Sequence, residues 1–181
     1  MKIMIASDIH GSAFYCKKLV DAYNSEKAEK LVLLGDILYH GPRNALPVEY
    51  DPQQVAKMLN DMAQEILCVR GNCDCEVDQM VLDFPVLADY GVMFYKDHLI
   101  YITHGHIFNK ENMPKMHDGD MILAGHTHVP ACDQVGECLY LNPGSVSIPK
   151  EGSAHSYMII DDSGLSWMDL ESGDCYKKIE L

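Results

Sequence analysis

Four short, nearly continuous apolar runs, at residues 2–7, 31–34, 66–70 and 121–124, constrain this chain more than any other feature. A strand without polar alternation has no face to give to water, so it must lie in a sheet covered on both sides. The first three runs alternate with helical stretches, from Ser12 to about Asn24 and from about Pro52 to Met62. Proline directly after Asp51 is a helix-start signal, because its missing N–H has no intrahelical partner to lose there. This alternation predicts βαβ units and a largely parallel sheet. The second half is richer in strands: residues 92–95 and 98–103 read as a hairpin around Lys96-Asp97, and 138–141, 156–161 and 165–170 follow. The expected fold is α/β (α+β) in class, a single domain over residues 1–181. It is a four-layer α/β-β/α sandwich of two mixed β-sheets packed face to face and flanked by helices.

Composition suits that reading. A chain of 181 residues with 48% apolar and 23% charged side chains can bury a substantial core and is not disordered. No apolar run approaches the roughly 20 residues that cross a bilayer, so no membrane partner is expected. The N-terminus reaches Asp8 after a few apolar residues, which reads as a buried strand rather than a secretion signal and makes the location cytoplasmic. Fourteen Lys and Arg against 27 Asp and Glu leave a formal net charge of −13. Such a surface repels phosphate backbones and excludes a long nucleic acid, but admits a small phosphorylated substrate where cations wait in the site. Seven cysteines, odd in number and irregular in spacing, make neither a disulfide framework nor a Cys-x-x-Cys zinc site. Most of them, like Met58, Met62, Met80 and Met158, read as core filler.

Five places repeat one layout, in which a strand ends and a glycine-flanked turn presents Asp, Asn or His. They are Ser7-Asp8-Ile9-His10-Gly11, Gly35-Asp36, Gly71-Asn72-Cys73-Asp74, His104-Gly105-His106 and Gly125-His126-Thr127-His128. Carboxyl ends of strands in an open α/β sheet converge on one crevice, so distant segments can meet there. Asp8 and His10, like His126 and His128, are two apart and project to one side if extended geometry persists. Taken singly, a strand-end Asp often caps a helix, and Gly-Asp and Gly-Asn are common turns. All five in order point to a metal site. Asp8, His10, Asp36, Asn72, His104, His126 and His128 offer two carboxylates, one amide oxygen and four imidazoles, too many for one tetrahedral zinc. They suit two divalent ions sharing a bridging carboxylate, and this donor mixture selects Mn²⁺, Ni²⁺, Co²⁺, Fe or Zn²⁺.

The order D-x-H, G-D, G-N-x-D, H-G-H, G-H-x-H resembles the calcineurin-like metallophosphoesterase superfamily over nearly the whole chain. Residues 35–44, Arg70-Gly71-Asn72-Cys73-Asp74 and Leu141-Asn142-Pro143-Gly144-Ser145-Val146-Ser147 are similar, more narrowly, to its small YfcE-type bacterial phosphodiesterases. The resemblance implies a β-sandwich flanked by helices. It puts Asp8, His10 and His128 on one ion, Asn72, His104 and His126 on the other, and Asp36 between them, with Mn²⁺ the common metal. It also implies hydrolysis of a small phosphodiester by in-line attack of a metal-bridging hydroxide, since two close ions acidify water and stabilise phosphoryl charge. Asn72 would donate its amide N–H to a phosphoryl oxygen, and Asp74 would orient its neighbours.

Cys73 stands where many relatives carry a histidine able to protonate the leaving oxygen. A thiol with a pKa of about 8.5 is a poorer acid and brings no positive charge. The expectation is a preference for good leaving groups, as in aryl phosphodiesters; the alternative is that Cys73 only fills space. Arg43 and His106 read as structural, although Arg43 could contact a phosphate and His106 the substrate or a backbone carbonyl. His40, His98, His117 and His155 match no motif and read as surface or loop residues. The alternative enzyme is a phosphomonoesterase of the same fold. The alternative of another class is a non-catalytic scaffold like the retromer subunit Vps29, disfavoured here because none of the seven donors is missing. Exposed apolar residues in loops 39–50 and 108–118 would support a homo-oligomer.

Overall fold

In the computed structural model, which describes residues 1–180, the first half runs β1 (Ile3–Ala6), α1 (Ala13–Glu26), β2 (Lys30–Leu33), α2 (Pro52–Asn60), β3 (Ile66–Cys68) and the single turn α3 (Glu76–Gln79). The second half is β4 (Tyr90–Tyr95), β5 (His98–Thr103), β6 (Met121–Leu123), β7 (Ala131–Val135), β8 (Cys138–Asn142), β9 (Ser156–Asp161), β10 (Gly164–Asp169) and β11 (Cys175–Ile179). Both long helices start where the sequence places a cap. The Ser12 hydroxyl accepts from Tyr15 N–H at 3.3 Å, and the Asp51 carboxylate accepts from Gln54 N–H at 3.1 Å.

Two mixed sheets result, in the orders β11-β10-β9-β1-β2-β3 and β4-β5-β6-β8-β7. Parallel pairing is confined to β1, β2 and β3 in the first and to β5, β6 and β8 in the second. The remaining strands add antiparallel, β9, β10 and β11 beyond β1 on one flank of the first sheet, and β4 and β7 on the two flanks of the second. Because successive side chains alternate, a strand apolar throughout feeds two cores at once. Ile3 and Ile5 of β1 and Val32 of β2 meet Ile100, Ile102, Met121, Leu123 and Leu141 between the sheets. Met4, Ala6, Leu31 and Leu33 point the other way, onto Cys16 and Leu19 of α1 and Val55 and Leu59 of α2. Trp167 of β10 is fully buried in the central layer, where its indole N–H donates to the Asn142 carbonyl at 2.8 Å.

The outer face of the second sheet is covered differently. Residues 104–120 contain no helix; instead Phe108, Met113 and Met116 fold onto Ile122, Ala124 and Tyr140. The apolar residues of loop 108–118 are thereby turned largely inward, contrary to their expected role in self-association. Exposed apolar residues include Tyr39, Leu46 and Val48 of the other loop and Tyr90, Val92 and Phe94 along the edge strand β4. Two further expectations fail on exposure. Met80 is 82% exposed and fills no core, and only Cys16 and Cys68 of the seven thiols are buried. No helix among the described residues is long and apolar enough to cross a membrane.

Candidate metal centre

The parallel strands deliver all five turns to one edge of the sandwich. Asp8 and His10 follow β1, Asp36 follows β2, Asn72 follows β3, His104 follows β5, and His126 and His128 follow β6. The turns are stacked through their backbones: Asp8 N–H donates to the Gly35 carbonyl at 3.1 Å and His10 N–H to the Asp36 carbonyl at 2.9 Å. Asp8, His10, Asp36, His126 and His128 all take left-handed backbone, with φ of 59°, 49°, 56°, 66° and 62°. The paired residues therefore do not converge by extended geometry; a sharp bend at each position turns its side chain inward. That conformation costs a non-glycine residue roughly 1–2 kcal/mol and persists only where neighbours fix it. Close backbone approach is part of the fixing. A Cβ on Gly71 would strike the backbone N and carboxylate of Asp36, and one on Gly125 would strike Ser7 and Asp8.

Three imidazoles are oriented from behind. His10 Nδ1 lies 2.7 Å from the Tyr39 carbonyl, His104 Nδ1 2.7 Å from the Leu34 carbonyl, and His128 Nδ1 2.6 Å from the Ile148 carbonyl. A carbonyl only accepts, so Nδ1 carries a proton in each ring, and whenever the ring is neutral its Nε2 lone pair points inward. His10 Nε2 and His128 Nε2 face each other at 3.3 Å, with Asp8 Oδ1 3.4 and 3.2 Å from them. Asp36 Oδ2 lies 3.6 Å from His10 Nε2 and 3.5 Å from His104 Nε2. On the far side His104 Nε2 is 3.1 Å from Asn72 Oδ1 and 3.2 Å from His126 Nδ1.

The remaining carboxylate oxygens are already committed. Asp8 Oδ2 accepts from the Ser7 hydroxyl at 2.6 Å and His126 N–H at 3.0 Å, and Asp36 Oδ1 accepts from Cys73 N–H at 2.8 Å. Asp8 Oδ1 is buried and lacks a hydrogen-bond donor. Lone pairs aimed at lone pairs repel unless positive charge lies between them. All seven side chains are thus brought together about Asp36 Oδ2, and within them Asp8, His10 and His128, and likewise Asp8, Asp36 and His104, form groups whose donor atoms lie close enough to hold a divalent metal ion.

The same geometry governs protonation of the metal-free chain. Burial opposes charge on His104, but Asp36 and Asp8 outweigh it and raise the imidazole to about 9. Burial would likewise lift the Asp8 and Asp36 carboxyls. The adjacent His10 and His128 imidazoles, 3.4 and 3.2 Å from its Oδ1, instead hold Asp8 well below the ordinary carboxylate range, and His104 lowers Asp36. Desolvation and the neighbouring His104 push His126 down.

Asp74 accepts from Gly71, Asp36 and Ile37 N–H at 2.7, 2.8 and 2.9 Å, so its carboxylate locks the turn after β3 against the turn after β2. Cys73 is half-buried, with Sγ within 4.8 Å of ligand atoms of His10 and Asp36. Burial and the adjacent Asp36 push its thiol up to about 12, so it is a neutral group. The Asn142–Ser147 segment, noted in the sequence only for its resemblance, grips the first turn. The Ser145 and Ser147 hydroxyls donate to the Asp8 carbonyl at 2.9 and 3.1 Å, and Asn142 Nδ2 donates to the Gly125 carbonyl at 2.7 Å.

A cavity of about 480 Å³ opens over the donors and is lined by Asn72, Cys73, His126 and His128, and also by Arg43 and Lys150. Arg43 thus lies at the mouth of the site, where contact with a phosphate is open to it; Lys150 was not foreseen, since no local pattern marks it. His106 does not line this cavity; its ring lies 5.4 Å from that of His104, and its buried Nδ1 makes no hydrogen bond, to a carbonyl or otherwise, among the described residues. His155 lies, as expected, in a loop, between β8 and β9, where it is half-buried: it stacks on Tyr15 at 3.9 Å, and its Nδ1 lies 2.8 Å from the Val146 carbonyl.

Residues 1–164 match the calcineurin-like phosphoesterase superfamily domain. The chain is 48% identical over 181 residues to phosphodiesterase YfcE of Escherichia coli K12, covering all of this chain and 98% of that one. It is 26% identical over 151 residues to phosphodiesterase MJ0936 of Methanocaldococcus jannaschii, covering 80% and 83% of the two chains. Its fold superposes on the solved structure of the E. coli phosphoesterase YfcE with a TM-score of 0.96, 44% identity and 99% coverage of both chains. Vps29 from Entamoeba histolytica shares the fold at a TM-score of 0.64 and 21% identity, over 100% of this chain and 99% of that one.

Proposed function

Because the chain belongs to the calcineurin-like phosphoesterase superfamily, we propose that it is a metal-dependent phosphodiesterase acting on small phosphodiesters. In this reading Asp8, His10 and His128 hold one divalent ion, Asn72, His104 and His126 hold a second, and Asp36 serves both. One observation carries it: Asp36 Oδ2 sits almost equally far from His10 Nε2 and His104 Nε2, at 3.6 and 3.5 Å, as a shared carboxylate oxygen would. Mn²⁺ is the proposed metal, since mixed carboxylate, amide and imidazole donors suit a borderline first-row ion. Bound there, two such ions would supply an acidified water for in-line attack and positive charge for the phosphoryl oxygens.

The chain's own groups do the rest. Asn72 stands exposed at the rim with Oδ1 toward His104, and its amide Nδ2, 3.3 Å from Cys73 Sγ, can donate to a phosphoryl oxygen. The Cys73 thiol stays protonated and is a weak donor, so the leaving oxygen must depart with little help and aryl esters are favoured over alkyl ones. Asp74 is a positioning residue, acting through the backbone of the Asp36 and Gly71 turns. Arg43 and Lys150 give an otherwise acidic molecule a local attraction for anions.

The bacterial relative's name favours a diester over a monoester substrate. The complete donor set favours catalysis over a scaffold. We place the protein in the cytoplasm, since its cysteines are free thiols, and assign it no long nucleic-acid partner at a net charge of −13. The test is turnover of bis(p-nitrophenyl) phosphate by purified protein with added Mn²⁺, compared with p-nitrophenyl phosphate. Mn²⁺-dependent release from the diester, abolished by a chelator, is expected. No release with Mn²⁺ or Ni²⁺ would refute the reading.

A further inference from the structure

Arg43 and Lys150 are two of only 14 basic side chains on a chain with 27 acidic ones, yet both line the cavity above the donor cluster. Other lysines and arginines are taken up elsewhere: Lys2, Lys17, Lys30, Arg70 and Lys110 by carboxylates, and Lys18 and Lys177 by aromatic rings. Among the described residues no carboxylate lies within ion-pair distance of Arg43 or Lys150, and Asp36 is the cavity's one acidic lining residue. They arrive from separate segments, Arg43 from the loop between β2 and α2 and Lys150 from the loop between β8 and β9.

Charge arithmetic shows what they are not needed for. Two divalent ions bring +4, the Asp8 and Asp36 carboxylates −2, and a hydroxide nucleophile and a phosphodiester −1 each, which sums to zero. With a simple diester bound, Arg43 and Lys150 would leave two positive charges unanswered beside the substrate. From this we infer that the natural substrate is a phosphodiester whose retained substituent carries a second anionic group, a carboxylate or a phosphate, recognised by Arg43 and Lys150. The inference rests on the phosphodiesterase reading and specifies its substrate class. The two residues act in it as specificity determinants and not as catalytic groups. Their exposure to solvent makes the recognition sensitive to salt.

The experiment uses the Mn²⁺-loaded protein and three diesters with a common p-nitrophenol leaving group: ethyl, 2-carboxyethyl and 2-phosphoethyl p-nitrophenyl phosphate. In the wild type, kcat/KM for the better anionic diester should exceed that for the ethyl diester by about tenfold or more, and the anionic arms tell carboxylate from phosphate. The gain should lie mainly in KM and shrink at high ionic strength. In Arg43→Gln, Lys150→Gln and the double variant the ratio should fall toward about one. A calorimetric arm reads binding without turnover, as the affinity for 2-carboxyethyl phosphate and 1,2-ethanediol bisphosphate relative to ethyl phosphate. It should show the same preference and the same collapse. The inference is overturned by a wild-type ratio near one in both arms, or by a ratio the variants leave unchanged, since the cations would then serve the scissile phosphoryl group. It is equally overturned if p-nitrophenyl phosphate outruns every diester, which would put the extra charge on the reacting phosphorus. If no diester turns over but the calorimetric preference appears and collapses in the variants, the phosphodiesterase reading fails while anion recognition by Arg43 and Lys150 stands.

Discussion

At the scale of residues, the buried imidazoles couple metal binding to protons. His104 is raised to about 9 by Asp36 and Asp8, so near neutral pH it is protonated in the metal-free chain and must lose that proton to bind an ion. Metal titration at pH 7 should therefore release protons into weakly buffered solution, and Mn²⁺ affinity should climb with pH until about 9. For folding without metal the signs are opposite for the two kinds of group. His104 is raised above its ordinary 6.5, so its stabilising contribution is whole below that value and fades as pH rises through about 9. Asp8 and Asp36 are lowered from 3.8, so theirs is whole above that value and lost as pH falls through the depressed values. Denaturant unfolding of the chelated protein should show a plateau between these limits. Asp36→Ala should cost more activity than the ~10–100-fold typical of outer partners, because it removes the oxygen placed between two donor groups. Cys73→His should raise turnover of alkyl diesters more than aryl ones, and equal effects on both would remove Cys73 from the chemistry.

At the scale of elements, the site depends on how turns lean on one another. Asp74→Ala would leave the N–H groups of Gly71, Asp36 and Ile37 buried without acceptors, at about 1–3 kcal/mol each. Denaturation should report a loss of more than about 3 kcal/mol, and metal titration a weakened centre. Gly71→Ala should damage metal binding at least as much, by driving a methyl group into Asp36.

Much of this layer was legible in the chain. β1, β2 and β6 stand out because they are apolar on both faces, and the Gly-flanked donors at strand ends announce the centre. The edge strands β7 and β11 were not legible, since sequences such as Cys175-Tyr176-Lys177-Lys178-Ile179 bury almost nothing and carry no apolar signal. Nor was the left-handed backbone of five donors, which local preference disfavours and only the stacked turns enforce. Lys150, Ser145 and Ser147 were out of reach for a related reason: the return of β8 and β9 to the sheets brings them to the site, and nothing beside them in the sequence says so.

At the scale of the whole molecule, β4 is an edge strand without a charge in Tyr90-Gly91-Val92-Met93-Phe94-Tyr95, and Phe94 is 72% exposed. Edges are ordinarily protected by charge or proline, and an unprotected apolar one invites another strand. Analytical ultracentrifugation should show concentration-dependent self-association that Phe94→Lys reduces, with Mn²⁺ binding unaffected.

Sheet order also dates the centre within the life of each molecule. A chain leaving the ribosome has made its last donor at His128, but β9, which flanks β1 opposite β2, emerges some thirty residues later. Ser145 and Ser147, which clamp the first turn, likewise follow His128. Nascent chains stalled before β9 should therefore own every donor yet capture no ion, and cation loading becomes one of the closing events of synthesis.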